Sequence, residues 1–114
     1  MSSLMHASRS YREASANRSI RAREADIFRR ATGALRAARN AAPIEQIRAL
    51  ADNRRVWHMV RALARDPNNR LEAALRGTLV SITLAVQREM DSSSPDFDFL
   101  ITVNENIAAG LSAD

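Results

Sequence analysis

Few residues of this 114-residue chain are of a type suited to chemistry. Cysteine is absent, and the two histidines, His6 and His58, lie too far apart in the sequence to form a local ligand pair. The sequence contains no glycine-rich phosphate loop, no His-x-x-x-His pair and no Ser-His-Asp set at a recognisable spacing. We therefore predict no catalytic activity, no metal ion and no cofactor.

Three polar residues fall on predicted apolar helix faces: Glu24, Asn53 and Asn104. Glu24 either forms a structural ion pair with an arginine of a neighbouring helix or acts as a catalytic base, and we favour the ion pair. A buried amide without partners costs about 1 to 3 kcal/mol. Asn53 and Asn104 therefore either hydrogen-bond to each other or to nearby backbone and fix the helix register, or face a groove that binds another helix. We favour the first alternative.

Charge is distributed unevenly along the chain. Residues 1–65 contain 14 arginines and 5 acidic residues, whereas residues 66–114 contain 3 arginines and 8 acidic residues. Such asymmetry indicates either a surface for nucleic acid or an acidic partner, or two halves of one fold that attract each other. The arginines are interleaved with acidic and apolar residues, without a dense basic block or an aromatic platform, so we expect no nucleic-acid binding.

The spacing of apolar residues predicts an all-α protein, a small antiparallel bundle of four helices. Residues 1–16 are predicted to be a flexible N-terminal segment, and residues 17–114 a single helical domain. No stretch reaches the roughly 20 apolar residues of a membrane-spanning helix, and the N-terminus lacks a signal-peptide core, so we expect a cytoplasmic protein. The predicted helices cover residues 19–41, 43–65 and 70–90 and a stretch that follows Pro95.

The second predicted helix carries the only tryptophan, Trp57, in an apolar arc that also contains Val60. Trp57 either fills the core or anchors a binding groove, because tryptophan is common in both places, and we favour the core. Ile44 and Ile47 fall outside this arc. Either the helix bends near Asp52, or its first turns contact another partner.

The third predicted helix is apolar on two sides. Its second face consists of Ala73, Gly77, Val80 and Leu84. A helix of this kind is normally central in its bundle or covered by something else. The cover is either the N-terminal segment around Tyr11 or a helix of a partner protein.

Several segments, in their order and spacing, are typical of one family. They are Asn53-Arg-Arg-Val-Trp57, Asp66-Pro-Asn-Asn69, Leu75-Arg-Gly-Thr-Leu-Val-Ser-Ile82 with Val86, and Leu100-Ile-Thr-Val-Asn104 through Gly110-Leu111. Upstream, Arg21, Glu24, Ala25 and Phe28 extend the pattern. The chain resembles the FlaF family of flagellar biosynthesis proteins over nearly its whole length, and departs from it at Glu72, where the family usually has proline.

The resemblance implies a cytoplasmic chaperone that binds flagellin and works alongside FlbT, a regulator of flagellin translation. Flagellin subunits end in amphipathic helices, which a cytoplasmic partner must cover until export. We hypothesise that such a helix lies in a groove of the bundle. The candidate apolar anchors are Trp57, Val60, Val80 and Leu84, and the candidate polar rim contacts are Arg54 and Arg76.

Two other functions stay open at this point. In the first, the chain is a regulator that binds the flagellin messenger RNA through its arginine-rich half. In the second, the chain is an adaptor that bridges FlbT and export components. Salt separates the RNA function from the chaperone function, because contacts to phosphate weaken steeply as ionic strength rises.

Overall fold

The structure, a computed structural model, describes residues 23–67 and 73–112. These residues form four helices and no strand, which confirms the predicted all-α fold. The helices are α1 (residues 23–38), α2 (Pro43–Arg65), α3 (Ala73–Asp91) and α4 (Phe97–Ser112). The predicted N-terminal segment 1–16, the predicted first turn at Ser19 and the predicted start of the third helix at Arg70 lie outside the described residues.

Helix α1 ends at Ala38, three residues before the predicted boundary at Ala41. The residue before a proline is restricted to extended backbone, and Ala42 has φ −63° and ψ 151°. The chain must therefore leave the helix before Ala42, and a turn in which the Ala41 N–H donates to the Ala38 carbonyl closes α1. Pro43 then occupies the first turn of α2, where a missing N–H is tolerated.

The turn between α3 and α4 is held by side chains that bond to backbone. The Ser92 hydroxyl donates to the Glu89 carbonyl at 2.8 Å, and the Asp96 N–H donates to Glu89 Oε2 at 3.3 Å. Asp96 Oδ1 in turn accepts the N–H of Phe99 at 3.1 Å, the bond of a helix N-cap. This network fixes where α4 begins and in which direction it leaves the turn.

The helices run alternately up and down. An ion pair between Arg39 and Asp98 joins the end of α1 to the start of α4. An open depression beside that pair is lined by both Pro43 of α2 and Ser94 of the α3–α4 turn, so the two turns lie at the same end of the bundle. Helices α2 and α4 are therefore parallel and diagonal, and each is antiparallel to α1 and α3.

Core residues come from all four helices. On α2 the buried residues follow the predicted arc that contains Trp57 and Val60. On α4 the spacing predicts a stripe of Phe97, Leu100, Val103, Ile107 and Leu111, but Ile101 and Ala108 are buried whereas Val103 and Ile107 are only partly buried, so the buried face is rotated.

On α1 the buried face is rotated as well. The spacing of Ile20, Ile27, Ala31, Leu35, Ala38 and Ala42 predicts an apolar stripe on this helix with Phe28 at its edge. In the structure Ile27 is 38% exposed, whereas Phe28 is 1% exposed. The phenyl ring of Phe28 packs edge-to-face on Trp57, with ring centroids 5.7 Å apart, and this contact sets the rotation of α1.

Candidate partner-binding site

The centre of the bundle contains a buried polar network. Asn104 Nδ2 donates to Asn53 Oδ1 at 2.7 Å, and Trp57 Nε1 donates to Asn104 Oδ1 at 2.9 Å. Asn53 Nδ2 donates to the sulfur of Met90 at 3.4 Å. Asn53, Trp57 and Asn104 are completely buried. The network thus links α2, α3 and α4 through buried side chains.

This arrangement matches the first of the two interpretations of Asn53 and Asn104, in which the amides bond to each other. Because a one-residue shift of either helix would break the bonds, the pair specifies the alignment of α2 and α4. Neither amide reaches a surface groove. The sequence pattern placed both residues on apolar faces, but it gave no signal that the Trp57 indole also joins them.

Two of the four predicted apolar anchors must be corrected. Trp57 has no exposed surface and Val60 is only 7% exposed, so both belong to the core. The physical reason is that Asn104 of α4 and the ring of Phe28 of α1 cover Trp57, and that Val60 belongs to the same buried cluster. A partner would have to open the bundle to reach either side chain.

The other two predicted anchors, Val80 and Leu84, lie on the surface. Val80 is 39% exposed and Leu84 is 49% exposed, on a side of α3 that lies about 110° around the helix axis from the buried Thr83, Val86 and Met90. Gly77 continues the row toward the start of α3, and a Cβ atom built there would meet nothing within 4 Å. We call the row Ala73, Gly77, Val80 and Leu84 the α3 stripe. Within the described part of the chain, Val80 and Leu84 are left largely uncovered.

The predicted polar residues lie at the margins of the helices. Arg54 is half-buried, and its guanidinium donates to the Met90 carbonyl at 2.9 Å and lies 3.3 Å from Asp91. It therefore caps the last turn of α3, where a cation is favoured by the helix dipole. Arg76 on α3 and Glu24 on α1 are each half-buried. A groove of about 220 Å³ between α2 and α3 is bordered by Arg54, His58 and Gln87.

A second apolar surface lies at the start of α2. Ile44 is 55% exposed and Ile47 is 59% exposed, the highest values among the large apolar residues that the structure describes. Helix α2 runs without interruption through Asp52, so these turns are part of the same helix as the core arc. Ile47 borders the open depression of about 490 Å³ at that end of the bundle.

Ion pairs connect the basic half of the chain to the acidic half. Arg36 pairs with Glu105 and Arg39 with Asp98 between α1 and α4, and Arg54 pairs with Asp91 between α2 and α3. Attraction between the two halves, one of the two explanations of the charge asymmetry, is thus visible in the fold.

The described residues hold no cluster of three or more side chains suited to a metal ion. Over the same part of the chain, no helix is both long enough and apolar enough to span a membrane.

A sequence model of the family described as "Flagellar protein FlaF" matches residues 7–111. The chain belongs to the FlaF family. The resemblance inferred from the sequence segments is thereby confirmed, and as a FlaF protein the chain is a flagellar protein. No curated protein and no solved structure matches it. Two of the segments that suggested FlaF, residues 53–57 and 100–104, meet in the polar network of the core.

Proposed function

We propose that this FlaF protein binds flagellin in the cytoplasm before export, and that it acts as a chaperone and regulator of flagellin synthesis. An amphipathic helix of flagellin lies on the α3 stripe. The observation that carries the proposal is that Val80 and Leu84 are exposed one turn apart on α3, a helix that buries a separate side, with Thr83, Val86 and Met90, in the core.

The α3 stripe has the form of a helix-binding surface. Its members alternate by four, three and four residues, which is the spacing of a seam between two packed helices. Gly77 has open space at its Cβ position, so a second backbone can approach closely there. Scattered exposed apolar residues are ordinary, but a row at this spacing is suited to a partner helix.

The stripe alone gives weak binding. Burial of the exposed part of Val80 and of Leu84 contributes about 1 kcal/mol each, whereas a micromolar complex requires about 8 kcal/mol. Trp57 and Val60 cannot supply the difference, since both are in the core. The complex therefore needs further contacts, of which Arg54 and Arg76 at the margins are candidates.

Copurification with flagellin tests the proposal. The double variant Val80→Asp plus Leu84→Asp should retain its helical circular dichroism and lose at least nine tenths of the bound flagellin. A matched control is Ile27→Asp plus Phe99→Asp, because each of these residues is 38% exposed on other helices. The control should retain flagellin. Equal retention by the folded Val80/Leu84 variant would remove α3 from the site, and no capture by the wild-type chain would reject flagellin as the partner.

An adaptor for FlbT makes a different prediction. If the chain joins FlbT to export components without holding flagellin, it should capture FlbT equally from cells with and without flagellin. A chaperone instead requires flagellin in the captured material. Pulldown from both kinds of cell separates the two functions.

A further inference from the structure

We infer that the docking surface extends beyond the α3 stripe, along the seam between α2 and α3 and then past the end of α3 along the same face of α2, to Ile44 and Ile47. We also infer that its occupant is an acidic amphipathic helix of about 18 residues. The inference rests on the proposed function in using the same α3 stripe, and it adds the length and the charge of the partner.

Two rows of side chains border this seam. On α2 the row alternates by three and four residues, and on α3 it does the same in the antiparallel direction. Arg54 and His58 of α2 lie beside Gln87 and Asp91 of α3 around the groove of about 220 Å³, so the rows face one another there. The α2 row continues from Arg54 past Asp91, the last residue of α3. The α2 row is Ile44, Ile47, Ala51, Arg54, His58 and Arg61, and the α3 row is Ala73, Gly77, Val80, Leu84, Gln87 and Asp91.

The apolar residues lie at the two ends of this docking surface. Arg54 contacts Asp91, so these two residues are at the same height in the bundle. Ile47 precedes Arg54 by two helical turns, and Leu84 precedes Asp91 by two turns in the opposite direction. At 1.5 Å per residue the two apolar ends are about 21 Å apart, which corresponds to about 14 residues of a bound helix. A bound helix with an apolar pair of residues at each end therefore contacts both apolar ends of the docking surface.

The charge of the seam selects the occupant. Segments 54–66 and 76–91, which include the middle of the seam and Val80 and Leu84, contain more basic than acidic residues. They are Arg54, Arg55, Arg61, Arg65, Arg76 and Arg88 against Asp66, Glu89 and Asp91. A partner helix with glutamate or aspartate beside its apolar stripe complements this surface, and electrostatic complementarity of this kind sets specificity more than affinity.

The same charge argues against two other occupants. Residues 1–22 of this chain contain four arginines and one glutamate, so they share the sign of the seam. A second copy of the chain would bring the same basic surface against itself. Like charges placed opposite one another are unfavourable, and an acidic partner avoids this cost in both cases.

Two synthetic 18-residue helical peptides test the charge of the occupant. Both carry leucine pairs 14 residues apart, and their remaining positions are glutamate-rich in one and lysine-rich in the other. Fluorescence anisotropy with the full chain at low salt should give at least tenfold tighter binding for the acidic peptide. In Arg61→Glu plus Arg88→Glu the preference should disappear or reverse. Equal affinities, or no binding of the acidic peptide, would overturn the inference.

A separate double variant tests the length of the docking surface. Ile44→Asp plus Ile47→Asp should weaken the acidic peptide at least fivefold, whereas Ile27→Asp on α1 should leave its affinity unchanged. Unaltered affinity in the first variant would confine the site to α3. If the chain prefers the acidic peptide but captures no flagellin, this inference holds and the proposed function is wrong. If the chain captures flagellin but shows no preference between the peptides, the proposed function holds and this inference is wrong.

Discussion

At the residue scale, Asn104 has the most demanding position in the chain. Its side-chain oxygen accepts the indole N–H of Trp57, and its amide nitrogen donates to Asn53, all without solvent. Removal of the amide leaves one buried donor and one buried acceptor without these bonds. Each unsatisfied group costs about 1 to 3 kcal/mol, so the side chain matters far more for stability than its size suggests.

We predict that Asn104→Leu lowers the free energy of unfolding by about 2 to 4 kcal/mol, because it removes both bonds at once. Urea unfolding followed by circular dichroism measures the change. Thr83→Val is the control, since Thr83 is also buried but donates only to the Leu79 carbonyl of its own helix. Thr83→Val should lower the free energy of unfolding by less than about 1 kcal/mol. A loss at Asn104 no greater than that of the control would contradict the role of the network.

The sequence could predict the burial of both asparagines but not their partners. Helical projection is a local property, and it placed Asn53 and Asn104 on apolar faces. Their meeting depends on α2 and α4 lying diagonally across the bundle, which joins residues 51 positions apart. The status of Trp57 was open for the same reason, because an arc on one helix does not reveal which helix covers it.

At the element scale, the start of α2 lacks a side-chain cap. Ala42 has the extended backbone of an N-cap residue, is exposed, and makes no capping hydrogen bond. Aspartate at an N-cap accepts a free N–H of the first turn and also interacts favourably with the helix dipole.

We predict that Ala42→Asp raises the free energy of unfolding by about 0.5 to 1 kcal/mol, measured by urea or thermal unfolding. Ala37→Asp is the control, because Ala37 is exposed inside α1, where aspartate is a poorer helix former than alanine. It should lower stability by about 0.5 kcal/mol. The same sign of change in both variants would show that the cap has no part in the effect.

Element boundaries were predictable where local chemistry decides them. Pro43 begins α2, and Asp66, which is extended before Pro67, follows its last residue, so both ends of that helix were predicted correctly. The predicted end of α1 at Ala41 is three residues too late, because the turn in which the Ala41 N–H donates to the Ala38 carbonyl leaves no signal in the apolar spacing. The rotation of α1 toward Phe28 depends on the ring of Trp57 in another helix, and a pattern within α1 could not reveal it.

At the scale of the whole molecule, the uneven charge has a structural use. The pairs Arg36–Glu105, Arg39–Asp98 and Arg54–Asp91 join the basic half to the acidic half. All six side chains are 40% exposed or more, so each pair contributes no more than about 1 kcal/mol. The pairs nonetheless place several arginines against carboxylates, where they are less available to phosphate groups.

Ionic strength therefore distinguishes the proposed flagellin complex from an RNA complex. A protein that contacts about five phosphates of single-stranded RNA loses about 300-fold in affinity between about 0.1 and 0.5 M salt. A helix seated on Val80 and Leu84 should lose less than about tenfold over this range, because salt screens the rim charges but does not weaken apolar burial.

Fluorescence titration of the full chain with flagellin and, separately, with the leader of the flagellin transcript measures both dependences. The expected result is a flagellin complex that persists at the higher salt concentration and no transcript complex at the lower one. The Val80→Asp plus Leu84→Asp variant shows which surface is responsible, since it removes apolar contact without changing any arginine. A transcript complex that this variant still forms, together with a flagellin affinity that falls as steeply with salt as phosphate contacts do, would favour the messenger as the target.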